Sequence, residues 1–173
     1  MIGASNRKLI LMRHAKSDWA DSSISDKDRP LNARGRAATP IVAQWLQTNQ
    51  AIPDIVLCSS ATRTKQTLEL LLDQWPKPSP EVIYLDELYL APAAQILSIA
   101  SKHDSRNSLL VLGHNPGMED LASYLSQARI EMPTAGIALL EAIGRNWPDD
   151  WLQASSWSWR GLVKPRDLGK ETI

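Results

Sequence analysis

The chain has 173 residues with 19 basic (Lys and Arg) and 19 acidic (Asp and Glu) side chains, and this length predicts one domain, residues 1–173, around a single core. The zero net charge provides no basic surface field for nucleic acid or for an anionic membrane, so we expect neither as a partner. Cys58 is the one cysteine, which excludes an internal disulfide and a cysteine-based zinc cluster.

The first predicted element is a buried strand at residues 9–12, whose apolar run ends abruptly in Arg13 and His14. Ligands of open α/β sheets bind outside the carboxyl ends of the strands, so both side chains are candidates for a functional site. Residues 1–8 lack the apolar segment of a signal peptide, and no apolar run approaches membrane-spanning length. We therefore expect a cytoplasmic protein.

A polar loop at residues 17–28 follows, and apolar residues then recur with helical spacing from about residue 37 to residue 46. Pro40 lies inside this pattern, where a proline interrupts a helix. We therefore expect the helix either to begin there, with Thr39 as the N-cap and Pro40 at its first position, or to kink at Pro40.

The second buried strand is predicted at residues 54–58, with Ser59 and Ser60 as caps of the next helix. Arg63 falls in the first turn of that helix. Free backbone N–H groups and the helix dipole already favour an anion at this position, and a cation opposes the dipole. Ligand binding therefore explains Arg63 better than helix stability does.

Two further buried strands, separated by a helical segment, are predicted at residues 82–85 and 109–112. The first of them ends at Asp86 and Glu87. The second ends at His114, inside a turn of sequence Gly-His-Asn-Pro-Gly. Two of the three histidines in the chain thus follow apolar strands, which favours a shared site over two unrelated polar strand ends.

The last part of the chain predicts a helix at residues 118–125, a strand at residues 137–141 and an edge strand around Trp157 and Trp159. Core packing explains these tryptophans better than a platform for sugars or peptides does. The polar tail, about residues 164–173, is expected to be loosely held. Four strand–helix alternations predict an α/β fold, a three-layer sandwich with a mostly parallel central sheet flanked by helices.

The predicted strand ends bring two arginines and two histidines toward one edge of this sheet, an arrangement that suits a phosphoryl group. The planar guanidinium of arginine binds phosphate oxygens in pairs and stays charged, and a neutral imidazole can attack phosphorus. Phosphoryl transfer depends mainly on positioning and charge neutralisation, so this set predicts a reaction without a metal ion or other cofactor.

A carboxylic acid near the scissile bond could protonate the leaving group, and Glu87 is the first candidate, with Asp86 as the alternative and neither also possible. The candidate catalytic residues are therefore Arg13, His14, Arg63, Glu87 and His114, and the candidate substrate-binding residues are Arg13, Ser17, Ser59, Arg63 and His114.

Arg13-His14-Ala15, the spaced Arg63 and the turn Gly113-His114-Asn115-Pro116-Gly117 together resemble the histidine phosphatase superfamily, which shares the phosphoglycerate-mutase fold. Within it, the chain is similar to the small phosphohistidine phosphatases of the SixA type. It departs from the commoner pattern in having Ala15, where glycine usually follows the histidine. The segments that match the SixA type are Leu11-Met12-Arg13-His14-Ala15-Lys16-Ser17-x-Trp19, Arg29-Pro30-Leu31-Asn32-x-Arg34-Gly35, Ser59-Ser60-x-x-Arg63-x-x-Gln66-Thr67 and Pro133-Thr134.

The resemblance implies His14 as the nucleophile, with Arg13, Arg63 and His114 as the phosphate pocket. The chain is short and has few residues to form a lid, which suggests an open pocket able to accept a protein side chain. We therefore expect a monomer that hydrolyses phosphohistidine on a phosphorelay or phosphotransfer protein, through a phosphohistidine enzyme intermediate.

Other classes of protein fit less well or stay open. A small-molecule phosphomonoesterase of the same superfamily is the runner-up, and a non-catalytic module is disfavoured because binding phosphate needs only the arginines. A cysteine phosphatase needs five residues between its cysteine and arginine, whereas four separate Cys58 from Arg63. A haloacid-dehalogenase-like phosphatase needs paired aspartates at the end of the first strand, whereas Asp26 and Asp28 lie in the polar loop.

Overall fold

The computed structural model describes residues 6–168, which contain one six-stranded sheet and five helices. The strands are β1 (Lys8–Arg13), β2 (Ile55–Ser59), β3 (Glu81–Leu85), β4 (Ser108–Gly113), β5 (Ile137–Ala142) and β6 (Trp157–Val163). The helices are α1 (Ala33–Thr48), α2 (Thr62–Gln74), α3 (Ala93–Ser101), α4 (Gly117–Ser126) and α5 (Pro165–Leu168), and single 3₁₀ turns lie at Asp86–Leu88 and Ala154–Ser156.

The strand order is β3-β2-β4-β1-β5-β6, and the first four of these strands are parallel. Strand β5 is antiparallel to both of its neighbours, so the sheet is mixed with a parallel majority. Alternate strand residues face opposite sides. Leu9 and Leu11 pack toward α3 and α4, whereas Ile10 and Met12 pack toward α1 and α2. The predicted three-layer α/β fold is confirmed.

Helix α1 begins at Ala33, seven residues before Pro40, where one of the two sequence-based alternatives placed its start. Its N-cap is Asn32, whose side-chain oxygen accepts the backbone N–H of Gly35 at 2.9 Å, and Pro40 lies inside the helix. The start at Pro40 is therefore wrong, because burial of Val42 and Leu46 on the same helix face outweighs the hydrogen bond that proline cannot donate.

The start of α1 also lies directly against the backbone that follows β1. A Cβ atom at Gly35 would stand 2.3 Å from the carbonyl oxygen of Lys16, a contact that no side chain tolerates. The N–H of Asn32 donates to that same Lys16 oxygen at 3.0 Å. Glycine at this position therefore allows α1 to hold the segment immediately after His14.

The serines at the end of β2 do not cap α2, contrary to the sequence-based expectation. The N-cap is Ala61, whose side chain accepts no hydrogen bond. The hydroxyl of Ser59 bonds to His114 and the hydroxyl of Ser60 bonds to the carboxylate of Asp86. Both serines are therefore engaged by the neighbouring strand ends.

The predicted edge strand is β6, and the aromatic residues around it are packed into the core. The rings of Trp147 and Trp151 stack with centroids 4.8 Å apart, and Trp157 meets Trp151 edge-on at 5.2 Å. The indole N–H of Trp157 donates to the Trp151 carbonyl at 3.0 Å. Core packing of Trp157 is thus confirmed.

The chain end is held further along than the sequence predicts. Residues 165–168 form α5, which packs on α1, and Leu168 lies partly buried against the core. A tail loose from residue 164 is therefore wrong for these residues, and residues 169–173 lie outside the described part of the chain. Within residues 6–168, none of the helices combines the length and apolar character needed to cross a membrane.

Candidate active site

The carboxyl ends of β1, β2 and β4 meet at one edge of the sheet and bring the predicted residues together. Strands β1 and β4 are adjacent and in register, with Arg13 opposite Gly113, so the next residues, His14 and His114, are neighbours. Their ring centroids lie 5.2 Å apart. Arg63, the second residue of α2, reaches the same point from the end of β2.

The hydrogen bonds of His14 fix which of its ring nitrogens carries the proton. Its Nδ1 lies 2.7 Å from the carbonyl oxygen of Ala15, and because a carbonyl only accepts, Nδ1 must donate. Its Nε2 is therefore unprotonated and carries the electron pair of the ring. That Ala15 carbonyl is itself held in place, because the Ala15 N–H donates to the Thr67 hydroxyl on α2 at 3.0 Å.

His14 is also electrically neutral across the physiological range. Burial lowers its pKa to about 3, outweighing the hydrogen bond to Ala15, and the nearby positive charges of Arg63 and Arg13 lower it further. The residue keeps 7% of its surface exposed. A neutral imidazole with an unprotonated Nε2 is the form of histidine that can attack phosphorus.

The guanidinium of Arg63 lies between His14 and a carboxylate that the sequence analysis did not select. Its Nε donates to Nε2 of His14 at 3.3 Å. Its other two nitrogens donate to Asp26, Nη1 to the backbone oxygen at 2.5 Å and Nη2 to Oδ2 at 3.1 Å. Arg63 is fully buried as a residue, so these contacts fix its orientation toward His14.

Asp26 is the centre of a small ionic network in the loop between β1 and α1. Its Oδ1 pairs with Arg29 at 2.9 Å, and its Oδ2 accepts the hydroxyl of Tyr89 at 2.5 Å. The Tyr89 hydrogen bond, followed by the charge of Arg63, holds the pKa of Asp26 below its usual range. The carboxylate is therefore ionised near neutral pH.

The candidate Ser17 belongs to the same loop and supports Arg29 there. The Nε of buried Arg29 donates to the Ser17 hydroxyl at 3.2 Å, and its guanidinium lies 3.5 Å from the centre of the Trp19 ring. The spacing of Asp26 and Arg29, at opposite charge within a polar loop, is the only sequence signal that could have indicated this network.

The second histidine contacts the other predicted serine. Nε2 of His114 lies 2.8 Å from the Ser59 hydroxyl, and burial, together with the neighbouring His14, lowers the His114 pKa to about 3. Nδ1 of His114 and Nε of Arg13 are buried without a hydrogen-bond partner among residues 6–168. A buried unpaired polar group costs about 1–3 kcal/mol, and the oxygens of a bound phosphoryl group could satisfy such groups.

The two acidic candidates lie on the 3₁₀ turn after β3, outside this cluster. Asp86 is exposed and its carboxylate binds the Ser60 hydroxyl and Lys27, the latter at 2.9 Å. Glu87 is also exposed, and within the described chain its carboxylate makes no hydrogen bond or ion pair. The structure therefore brings neither of them to His14, and Asp26 is the carboxylate that reaches the pocket.

Cys58 sits on β2 with its side chain in the core, away from the reaction edge. Its Sγ donates to the Ser59 carbonyl at 3.3 Å, and burial raises its pKa to about 12. It is therefore a thiol at neutral pH and cannot act as a thiolate nucleophile. In the part of the chain described, no three His, Cys, Asp or Glu side chains are grouped so that they could hold a metal ion.

The sequence pattern of the histidine phosphatase superfamily (branch 1) matches residues 9–104, a segment that begins in β1 and includes His14, Asp26 and Arg63. The chain belongs to this superfamily. Both the family and the arrangement of two histidines and two arginines support a phosphatase.

Relatives match from about two thirds to more than nine tenths of the chain. An uncharacterized chloroplastic protein of Arabidopsis thaliana is 36% identical over 92% of this chain and 78% of its own length. The phosphohistidine phosphatase SixA of Escherichia coli is 31% identical over 68% of this chain and 71% of its own length. A crystal structure of a candidate SixA from Agrobacterium tumefaciens is 27% identical, with a TM-score of 0.78 over 93% of this chain and 100% of that one.

Proposed function

We propose that this protein hydrolyses phosphohistidine on a phosphotransfer protein, through a phosphohistidine intermediate on its own His14. One observation carries the proposal: the Nδ1–H of His14 is bound to the Ala15 carbonyl, which leaves Nε2 as a neutral nucleophile directed at Arg63. The similarity to the E. coli SixA protein, named a phosphohistidine phosphatase, supports the choice of substrate.

In the first step, Nε2 of His14 attacks phosphorus as the bond from phosphorus to the substrate imidazole nitrogen breaks. The departing nitrogen keeps the electron pair of the broken bond, and because the other ring nitrogen of the substrate is already protonated, the leaving group is a neutral imidazole. The His14 ring becomes cationic, which the Nδ1–H bond to the Ala15 carbonyl stabilises. Arg13, Arg63 and His114 bind the phosphoryl oxygens throughout.

In the second step, water attacks the phosphorus of the enzyme intermediate. The bond from phosphorus to Nε2 breaks, its electron pair returns to His14, and the proton of the water goes to a phosphate oxygen. The ring is again neutral, in agreement with its lowered pKa, and inorganic phosphate leaves.

The leaving group distinguishes phosphohistidine from an ordinary phosphate ester at this site. An alkoxide leaving group needs a proton donor, whereas an imidazole can be protonated before it departs. The carboxylate that contacts the pocket, Asp26, has a lowered pKa and is already ionised near neutral pH, so it has no proton to give. This charge state favours a substrate that needs no carboxylic acid.

The test is phosphate release from a histidine-phosphorylated phosphotransfer domain compared with glycerol 3-phosphate, an ester with an alkoxide leaving group, at equal concentrations and with chelator present. We expect faster release from the phosphohistidine, loss of release in His14→Ala, and an acid-labile phosphate trapped on the wild-type enzyme. Faster release from the ester would move the protein to the small-molecule phosphomonoesterases. Phosphate binding without any release would favour a non-catalytic module.

A further inference from the structure

A groove of about 440 Å³ opens between α1, α5 and the turn before β5. Its floor is the face of α1 formed by the small or apolar side chains of Ala37, Ala38 and Ile41, and Pro133 and Pro165 form its walls. Ile41 is 41% exposed, on the side of α1 opposite its buried residues Val42 and Leu46.

Two backbone segments connect the lining of the groove to His14. One wall belongs to the turn at residues 133–136, whose Ala135 N–H donates to the carbonyl oxygen of His14 at 3.0 Å. Lys16, on the rim, comes two residues after His14 and is held to the start of α1 by the bond from Asn32 to its carbonyl. The groove therefore lies beside the backbone segment that carries the nucleophile.

The rim of this groove carries the positively charged side chains of Lys16, Arg34 and Arg166. Lys16 and Arg34 make no side-chain hydrogen bond or ion pair within residues 6–168, and Arg166 has only a 3.8 Å contact with its sequence neighbour Asp167. By contrast, the active-site cations Arg29 and Arg63 pair with the Asp26 carboxylate at 2.9 Å and 3.1 Å. Two cations without carboxylate partners among residues 6–168, Lys16 and Arg34, and a third with only a long contact, Arg166, surround an apolar floor and favour a negatively charged partner.

The floor of the groove decides which anionic partner fits. Single-stranded nucleic acid binds on basic grooves that carry aromatic rings for base stacking, and the described lining of this groove has none. A protein segment that presents carboxylates around one or two apolar side chains matches both the rim and the floor.

We propose that this groove binds an acidic segment of the protein substrate, next to the phosphohistidine that His14 attacks. The inference rests on the proposed function, since it places the docking surface of that substrate. It explains how a small enzyme could select one protein from many that carry the same phosphorylated side chain.

The experiment uses the full-length protein with Arg34→Glu and Arg166→Glu combined, and separately with Ala37→Trp, which fills the floor without changing charge. The control combines Lys102→Glu with Arg145→Glu, two exposed cations at the opposite edge of the sheet. The substrates are a histidine-phosphorylated phosphotransfer domain and a short phosphohistidine peptide cut from it, and thermal unfolding checks that each variant is folded.

We expect both groove variants to lower kcat/KM for the intact domain by about tenfold or more, through KM, as expected when a central interface contact is lost. Activity on the peptide should change by less than about twofold, because the peptide lacks the docking segment. The control variant should match wild type on both substrates, because its substitutions lie far from the groove. The wild-type preference for the domain should also weaken with added salt. Equal losses on domain and peptide, or no loss on either, would overturn the proposal.

Failure of the proposed function has a different signature, which is that wild type hydrolyses neither the domain nor the peptide. Docking is then measured by fluorescence anisotropy of the labelled, unphosphorylated domain. Weaker binding by the groove variants but not by the control supports the docking surface. Equal binding of the domain by all variants overturns it. The proposal is also overturned if the groove substitutions weaken binding of transfer RNA but leave binding of the domain unchanged.

Discussion

The Nε of Arg63 lies 3.3 Å from Nε2 of His14, so a buried cation contacts the atom that would attack phosphorus. Two consequences follow from this contact. Arg63 disfavours protonation of His14, which keeps Nε2 unprotonated, and its guanidinium is already next to the nucleophilic atom, where it could bind phosphoryl oxygens.

The first prediction concerns the shape of the Arg63 side chain. Arg63→Ala should lower kcat by about 10²–10³-fold, the usual cost of removing one preorganised donor to a transition state. Arg63→Lys keeps the charge but not the planar fork, so we expect an intermediate loss. Steady-state phosphate release measures both. Full activity in Arg63→Lys would mean that charge alone suffices.

The second prediction concerns Asp26, which competes with phosphate for Arg63 and Arg29. Asp26→Asn removes the negative charge but keeps a side chain of nearly the same size and shape. Inorganic phosphate should then inhibit more tightly by about fivefold, equivalent to about 1 kcal/mol of removed repulsion. Product inhibition by phosphate is the measurement, and Asp28→Asn, in the same loop, is the control. Weaker inhibition would show that Asp26 mainly positions the arginines.

The sequence could predict the histidine pair because simple rules connect strands to their ends. His14 and His114 each follow an apolar strand, and the carboxyl ends of adjacent parallel strands must meet at one edge. Arg63 could be added because a cation opposes the dipole at a helix start. Each of these inferences needs only the local pattern and one general property of α/β sheets.

Asp26 and Pro40 show what such rules do not contain. Asp26 meets Arg63, 37 positions away, only because the loop closes through the Ser17–Leu31 bridge and the bond from Thr62 N–H to the Lys27 carbonyl. No periodicity marks these contacts. At Pro40, local propensity predicts an interruption, but tertiary burial of the α1 face outweighs it.

The third prediction is that the two acidic candidates, Glu87 and Asp86, are not needed for hydrolysis of phosphohistidine. Glu87 is exposed, and its carboxylate makes no hydrogen bond or ion pair within the described chain. Glu87→Gln should therefore leave the rate of phosphohistidine hydrolysis within about twofold of wild type. The same should hold for Asp86→Asn. A loss of tenfold or more in Glu87→Gln, confined to ester substrates with poor leaving groups, would restore Glu87 as a general acid for those substrates.

The fourth prediction concerns reagents that would inhibit the rival mechanisms. Cys58 is buried and its pKa is raised to about 12, so iodoacetamide should neither label it in the native protein nor reduce activity. Excess EDTA should also leave activity unchanged, since the proposed steps use only His14, His114 and the two arginines. Labelling of the urea-unfolded protein confirms that the thiol is reactive once exposed. Inhibition by either reagent would contradict the histidine mechanism.

The last prediction follows from the lowered pKa values of His14 and His114. Both are about 3 in the folded protein and about 6.5 when unfolded, so between these values the unfolded state binds more protons. The free energy of unfolding should therefore fall as the pH decreases from 6.5, by up to about 1.4 kcal/mol per pH unit for each histidine.

Urea unfolding from pH 7 to pH 4.5 measures this slope. Replacing His14 with glutamine should remove about half of the slope, whatever it does to the stability at pH 7, because one of the two titrating groups is then gone. In the native protein the His14 ring signals should show no titration by NMR above pH 4.5, whereas unfolded protein should titrate near 6.5. A His14 titration near 6.5 in the native state would contradict this prediction. The nucleophile would then be protonated in mild acid, and activity would be lost below about pH 6.5.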